Sequence, residues 1–240
     1  MIILAIMQKN SPLVFFDFSS IFIVIGGTLA STMVSFSFKS IKHAWQDSLL
    51  TFQQQEIDYK GTLEEIVRCS YLYKIKGPLA LEKMQVKNPF LQKGIDFVVD
   101  QIDVRSFKHL MMIEHESLME RQRRSSNILQ KMGDLAPSWG LIGTLVGLVL
   151  MMLKLESPSQ IGAGMGLALL TTFYGAVISN LVLVPLGNKI EERIHHSSIH
   201  NILIIEGLYE VRRGESTRII KDKLISLLGP TVKIDLSKKD

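Results

Sequence analysis

The sequence predicts an all-α protein, a polytopic membrane helix bundle with a helical cytoplasmic insertion between the second and third spans. Three observations lead there. Ser19–Phe38, Leu135–Leu153 and Ser157–Asn188 contain no Asp, Glu, Lys, Arg or His over 20, 19 and 32 residues, and about twenty apolar residues cross a bilayer as a helix. Strand patterning is nearly absent, while helical spacing recurs through the polar segments. The basic residues are also segregated. Of 27 Lys and Arg, fifteen lie in Lys39–Lys131 and ten after Asn188, leaving only Lys9 and Lys154 elsewhere. An excess of Lys and Arg marks the cytoplasmic side, so both long polar segments are expected there.

Taken in order, residues 1–18 hold the remnant of a first span and an external connector. Met1–Met7 is apolar but far too short to cross a bilayer. It lacks a basic start and a small-residue cleavage site, which argues against a secretory signal and for a span beginning upstream. Residues 19–38 form a span, and 39–134 form a cytoplasmic helical domain. There "GTLEEIVRCSYLYKIKG" places Leu63, Ile66, Val67 and Tyr71 at helical spacing, with Thr62 and Glu65 as a capping box. Residues 135–154 and 161–187 make a helical hairpin through the membrane, joined by a turn at 155–160. Residues 188–240 form a cytoplasmic tail, helical to about Leu228, which "GPTVKIDLSKKD" then breaks.

Soluble chemistry finds no foothold. "HESLM" opens like a zinc-protease helix, but Met119 stands where the second histidine is required. His195, His196 and His200 share a helical face without a carboxylate or Cys to complete a metal set. "GAGMG" opens an apolar span and follows no strand, so it is no phosphate loop. Acidic residues nearly balance basic ones in each polar segment, and no basic tract interleaves with aromatics, which argues against a nucleic-acid partner. The lone Cys69 offers no disulfide within the chain. No nucleophile–base pair emerges, so an enzyme is not expected.

The informative residues lie in the membrane. Gly140, Gly143, Thr144 and Gly147 recur three or four apart and share one face. Ala168, Thr172, Gly175 and Ser179 share a face in the next stretch. Uncovered backbone on Gly140, Gly143, Gly147 and Gly175 would let a partner helix approach closely. Threonine hydroxyls can replace the water around a cation. Carriers usually hold an ionisable group at membrane depth; the three stretches have none, so a partner helix would have to bring the carboxylate. Pro137 is placed in the first turn of its span, where a missing amide matters little. Pro185 lies near the end of the other span and removes a helical hydrogen bond.

Three blocks then become recognisable. "FDFSSIFIVIGGTLASTMVSF", "GDLAPSWGLIGTLVGLVLMM" and "GMGLALLTTFYGAVISNLVLVPLGNKIE" resemble the MotA/PomA stator proteins of the bacterial flagellar motor, across most of the chain from about Ile3 to Glu192. The resemblance implies four spans in the bacterial inner membrane and a homo-oligomeric ring, a pentamer, around a MotB/PomB-type subunit that supplies the ion-binding aspartate. It implies no cofactor, only transported protons or sodium ions, and contact with the rotor switch protein FliG. Thr144 and Thr172 fall on the threonines lining the ion path, and Pro137 and Pro185 on prolines that couple conformation to ion flow. In "KIKGPLALEK", Lys74 and Glu82 fall on the rotor contact, Lys74 replacing a usual arginine and losing its bidentate fork. Ile75, Lys83 and Ala163 depart from the pattern.

Two other readings compete. ExbB/TolQ-type energisers of outer-membrane transport are three-span relatives with a comparable insertion. The "QKNSPLVFFDFSS" connector before a GGT-bearing span instead belongs to the flagellar type. A purely structural membrane scaffold would explain the glycines without an ion path, and predicts that the hydroxyls of Thr144 and Thr172 are dispensable.

Overall fold

The computed structural model describes residues 15–52, 57–153 and 158–228, and among these the regular elements are all helical. Helix α1 (Phe18–Ser35) starts where Asp17 caps it, its carboxylate accepting from the Ser20 amide at 2.6 Å. It stops at Ser35, short of the expected span end at residue 38. Phe36 is extended, and Ser37 accepts from the Ser40 amide at 3.2 Å, so a new helix, α2 (Phe38–Phe52), starts under its own cap.

Helix α3 (Tyr59–Lys76) corrects the expected capping box. Asp58 is the cap, accepting from Gly61 N at 2.8 Å. Thr62 lies inside the helix, and its hydroxyl meets His200 Nε2 at 2.8 Å. A 3-10 turn (Pro78–Leu81) and α4 (Pro89–Val99) follow. Helix α5 (Val104–Met152) is continuous over 49 residues, so no helix end marks the expected passage from insertion to span at residue 135. Helix α6 (Pro158–Val177) runs through a π turn (Ile178–Leu183) into α7 (Val184–Arg213), and α8 (Thr217–Leu227) is capped by Ser216. Among the described residues, three helical stretches are long and apolar enough to cross a membrane. The first-span remnant at Met1–Met7, part of the 155–160 turn and the "GPTVKIDLSKKD" end fall outside the described residues.

The chain divides into two units. One holds the described residues up to Phe52 with Arg123–Glu191, and the other holds those of Gln53–Gln122 with those from Glu192 onward. The sequence separated insertion from tail; the fold joins them. Ile66, Leu91, Ile95, Phe107 and Met111 of the insertion share one core with Leu203, Ile204, Leu208, Ile220 and Leu224 of the tail. Burial in this core pushes the Cys69 thiol up to about 12, so it stays protonated and inert.

Charges tie α8 to the same core. Lys223 Nζ reaches Glu210 at 2.5 Å and Glu206 at 3.1 Å, and Lys108 reaches Glu206 at 2.5 Å. Burial alone would raise the Glu206 carboxyl, but the bonds from Lys108 and Lys223 outweigh it and hold the group below 4.5. A carboxyl depressed by folding contributes stability that is complete above its unfolded value and fades as pH falls through its folded one. Glu206→Gln should therefore lower the detergent-solubilised protein's Tm at pH 7, with the gap to the parent narrowing as pH drops below 4.5. A gap that stays constant across that range would refute the linkage.

Candidate functional site

The membrane unit is organised by close approach of α5 and α6. A Cβ added at Gly140 would meet the Thr171 carbonyl oxygen at 2.9 Å, and one at Gly143 would meet Thr171 Cβ at 2.6 Å. At Gly147 it would meet the Gly164 carbonyl at 2.7 Å, and at Gly175 the Ala136 carbonyl at 2.7 Å. The four glycines expected to receive a partner helix are thus filled by the chain's own hairpin. The physical reason is reciprocity: Gly164, Ala168 and Gly175 leave α6 as bare as α5, and two bare faces allow the close approach seen here.

The threonines divide accordingly. Thr171 is fully buried in this seam, its hydroxyl donating to the carbonyls of Leu167 and Ala168 at 2.9 and 3.0 Å. Thr144 and Thr172 flank the seam, the first half-buried and the second exposed. Each donates within its own helix, Thr144 to Leu141 O at 2.6 Å and Thr172 to Ala168 O at 3.4 Å. Each oxygen keeps acceptor capacity for an incoming cation or polar group. Thr172 Cα would lie 3.3 Å from a Cβ on Gly140, so its backbone belongs to the seam while its side chain is exposed. Thr144 stands half-buried beside Gly143, with no bond between the two threonines.

Pro137 is not in a first turn but deep within α5. Its missing N–H would leave the Gly133 carbonyl without its helical donor. Ser179 of the π turn supplies the donor instead, its hydroxyl lying 2.7 Å from Gly133 O in a buried position. Pro185 lies where the π turn passes into α7, and the helix continues beyond it to Arg213. The wider π turn directly before it relaxes the backbone against which a proline ring would otherwise clash. Both prolines are exposed on the surface of this unit.

Helix α1 is pinned by a residue that sequence reasoning missed. Trp139 Nε1 donates to Ser31 Oγ at 2.9 Å, and its ring lies where a Cβ on Gly27 would come within 2.1 Å. The signal was available: a tryptophan in "APSWGL" to match the bare "GGT". Tyr174 further ties α6 to the start of α1 by donating to the Phe15 carbonyl. In the same unit, α2 turns Ile41, Ala44 and Ser48 inward, and its Asp47 accepts from Ser125 at 2.5 Å.

In the other unit, Lys74 and Glu82 are both exposed, one in the last turn of α3 and one directly after the 3-10 turn. The bend between them is fixed by Gly77 at φ 75 and ψ 180, a conformation that other residues enter at a cost. Arg212 braces this end. Its guanidinium bonds the Tyr73 hydroxyl at 3.1 Å and the carbonyls of Gln101 and Ile102 at 2.9 and 3.0 Å. Among the histidines, His200 serves packing: it meets Thr62 and the edge of Tyr59, and burial lowers its pKa. Among the described residues no group of His, Cys, Asp and Glu is arranged to hold a metal.

Comparison with known proteins then decides the family. Residues 82–200 match the MotA/TolQ/ExbB proton channel family. Chemotaxis protein PomA of Vibrio alginolyticus is 33% identical over 228 residues, covering 95% of this chain and 90% of its own length. The chain belongs to this family. It is a stator protein of the MotA type and a multi-pass membrane protein. Motility protein A of Aquifex aeolicus is 30% identical, with 95% and 92% of the two chains covered. YtxD of Bacillus subtilis is 35% identical, covering 88% and 78%. Two solved structures share the fold, each with a TM-score of 0.86. C. jejuni MotAB is 23% identical and covers 95% of this chain and 90% of its own. The flagellar MotAB stator complex from Bacillus subtilis is 22% identical and covers 98% and 96%.

Proposed function

We propose that this chain is the ion-conducting stator subunit of a flagellar motor. It couples proton or sodium flow across the bacterial inner membrane to torque on the rotor. A MotB/PomB-type subunit supplies the aspartate that the spans lack, copies of this chain form a pentameric ring around it, and the cytoplasmic insertion works on FliG through Lys74 and Glu82. The carrying observation is the placement of Thr144 and Thr172. Neither side chain is packed into the centre of the seam, and both lie in charge-free stretches, where a partner's carboxylate and a passing cation could meet them. Pro137 and Pro185 sit on the same unit, each beside a perturbed stretch of helical hydrogen bonding.

The test is rotation speed in a stator-deleted motile bacterium given this chain and a matched MotB-type partner, as sodium is titrated at fixed pH. Speed rising with sodium assigns sodium, and rotation indifferent to it assigns protons. No rotation with both proteins in the membrane would favour the ExbB/TolQ-type reading. The motility and chemotaxis names of the relatives speak for rotation. Thr144→Ala and Thr172→Ala should each cut ion-driven speed by about tenfold, as expected when roughly 1.4 kcal/mol of cation stabilisation is lost. Unchanged speed would reject the hydroxyls' role and support the scaffold reading.

A further inference from the structure

We infer that the insertion grips its rotor partner through an apolar anchor of Tyr71, Ile75 and Leu79 set among lysines, and that the partner presents an apolar helix face with acidic flanks. The inference rests on the stator reading above. Glu64, Arg68, Tyr71 and Ile75 follow one another at helical spacing and are all exposed, so they form a single outward stripe on α3. The opposite side of that helix is used up in the core by Leu63, Ile66 and Cys69. Tyr71 is 60% exposed, Ile75 59% and, past the bend, Leu79 68%. Tyr71 and Ile75 lie one helical turn apart, with Leu79 four residues further on. Exposed apolar side chains of this size so close together mark a surface that another molecule covers.

The surface is also held in shape. Gly77 sets the bend, and Leu81 at the end of the 3-10 turn is fully buried, which anchors the turn while Leu79 stays outside. Such a preset surface loses little freedom on docking. Its charge selects the occupant. Lys74, Lys76 and Lys83 are exposed around these residues in sequence against the single carboxylate of Glu82, so an acidic partner is attracted and a second copy of this lysine-bearing surface is repelled. In this arrangement the lysines steer, while tyrosine and its aliphatic neighbours hold. Ile75, which breaks the family's charge pattern, belongs to the grip.

The experiment uses the full chain with its MotB-type partner in stator-deleted motile cells, comparing the parent with Ile75→Ser and Leu79→Ser. Dwell time of labelled stators on the motor should fall about tenfold in each variant, the fold-change of a typical interface anchor, while ion conductance is unchanged. A photo-cross-linking residue at position 75 should capture the rotor protein and not a second copy of this chain. Rotation by the parent with normal dwell times in both variants would overturn the anchor alone. Cross-links to another copy would also overturn it, and they decide the matter should the serine variants fail to reach the membrane. A parent chain that never rotates the motor would overturn the stator reading and the anchor with it.

Discussion

Gly175→Ala should lower the stability of the solubilised protein by about 1–3 kcal/mol, the usual range for forcing extra volume into a packed interior. The added methyl would sit 2.7 Å from the Ala136 carbonyl oxygen and 3.2 Å from Pro137 Cα. Both are backbone atoms, so no side-chain rotation relieves the clash, and the helices must part. Parting would also strip contacts from Gly140 and Gly143, which are packed in the same seam. Gly166 provides the control, because nothing lies within 4 Å of a Cβ built there. Thermal melts in detergent should show Gly175→Ala well below the parent and Gly166→Ala at or slightly above it, since a helical glycine with open space around it gains from alanine. Equal melting of the two variants would mean that the seam is not what holds the hairpin.

Removing the tail from Glu215 onward should open the core of the cytoplasmic insertion. The cut takes away Ile220, Leu224 and Leu228, each at most 1% exposed, and with them the Lys223 ion pairs. At about 1.5–3 kcal/mol for each fully buried apolar side chain, the loss is comparable with the whole stability of an ordinary domain. Hydrogen exchange should then accelerate in α3, which loses the 3.0 Å contact between the Ser70 and Thr217 hydroxyls, and in α4, although the deletion removes no residue of either helix. A milder variant, Ile220→Ala, should cost roughly 2–5 kcal/mol and leave the fold intact. Unaltered exchange in α3 and α4 after the truncation would show that the tail is an appendage.

The membrane helices could be read from residue chemistry alone because a charge-free run of twenty residues has few other uses. What such a run does not encode is which of its faces meets which neighbour. Gly140 and Gly143 announce close approach, but nothing in their spacing says whether the approaching helix is α6 or another chain. In the structure the approaching helix is α6, which few residues separate from α5. The same limit explains the prolines. Helix-start rules placed Pro137 in a first turn because the charged-to-apolar switch at residue 135 resembled a beginning. The helix runs through the switch, and Asp134, a residue type that often caps a helix start, lies inside it instead. The tail's place in the insertion core was also hidden. Ile220 and Leu224 show a helical pattern, but a pattern specifies a buried face without naming its cover. Lys74 and Glu82 were recognisable only through the family, because an exposed charge looks alike whether it serves a partner or only water.

The bond from Ser179 to Gly133 has a practical corollary for anyone recombining these proteins. Proline at 137 creates a vacancy in one helix, and serine at 179, in the π turn of the other, fills it. Neither residue makes sense in a host lacking the other. A chimera that imports the proline-bearing segment without its serine inherits a buried acceptor with no donor. Exchanges in this region should therefore cut outside the interval from Gly133 to Ser179, and move the hairpin as one inherited block.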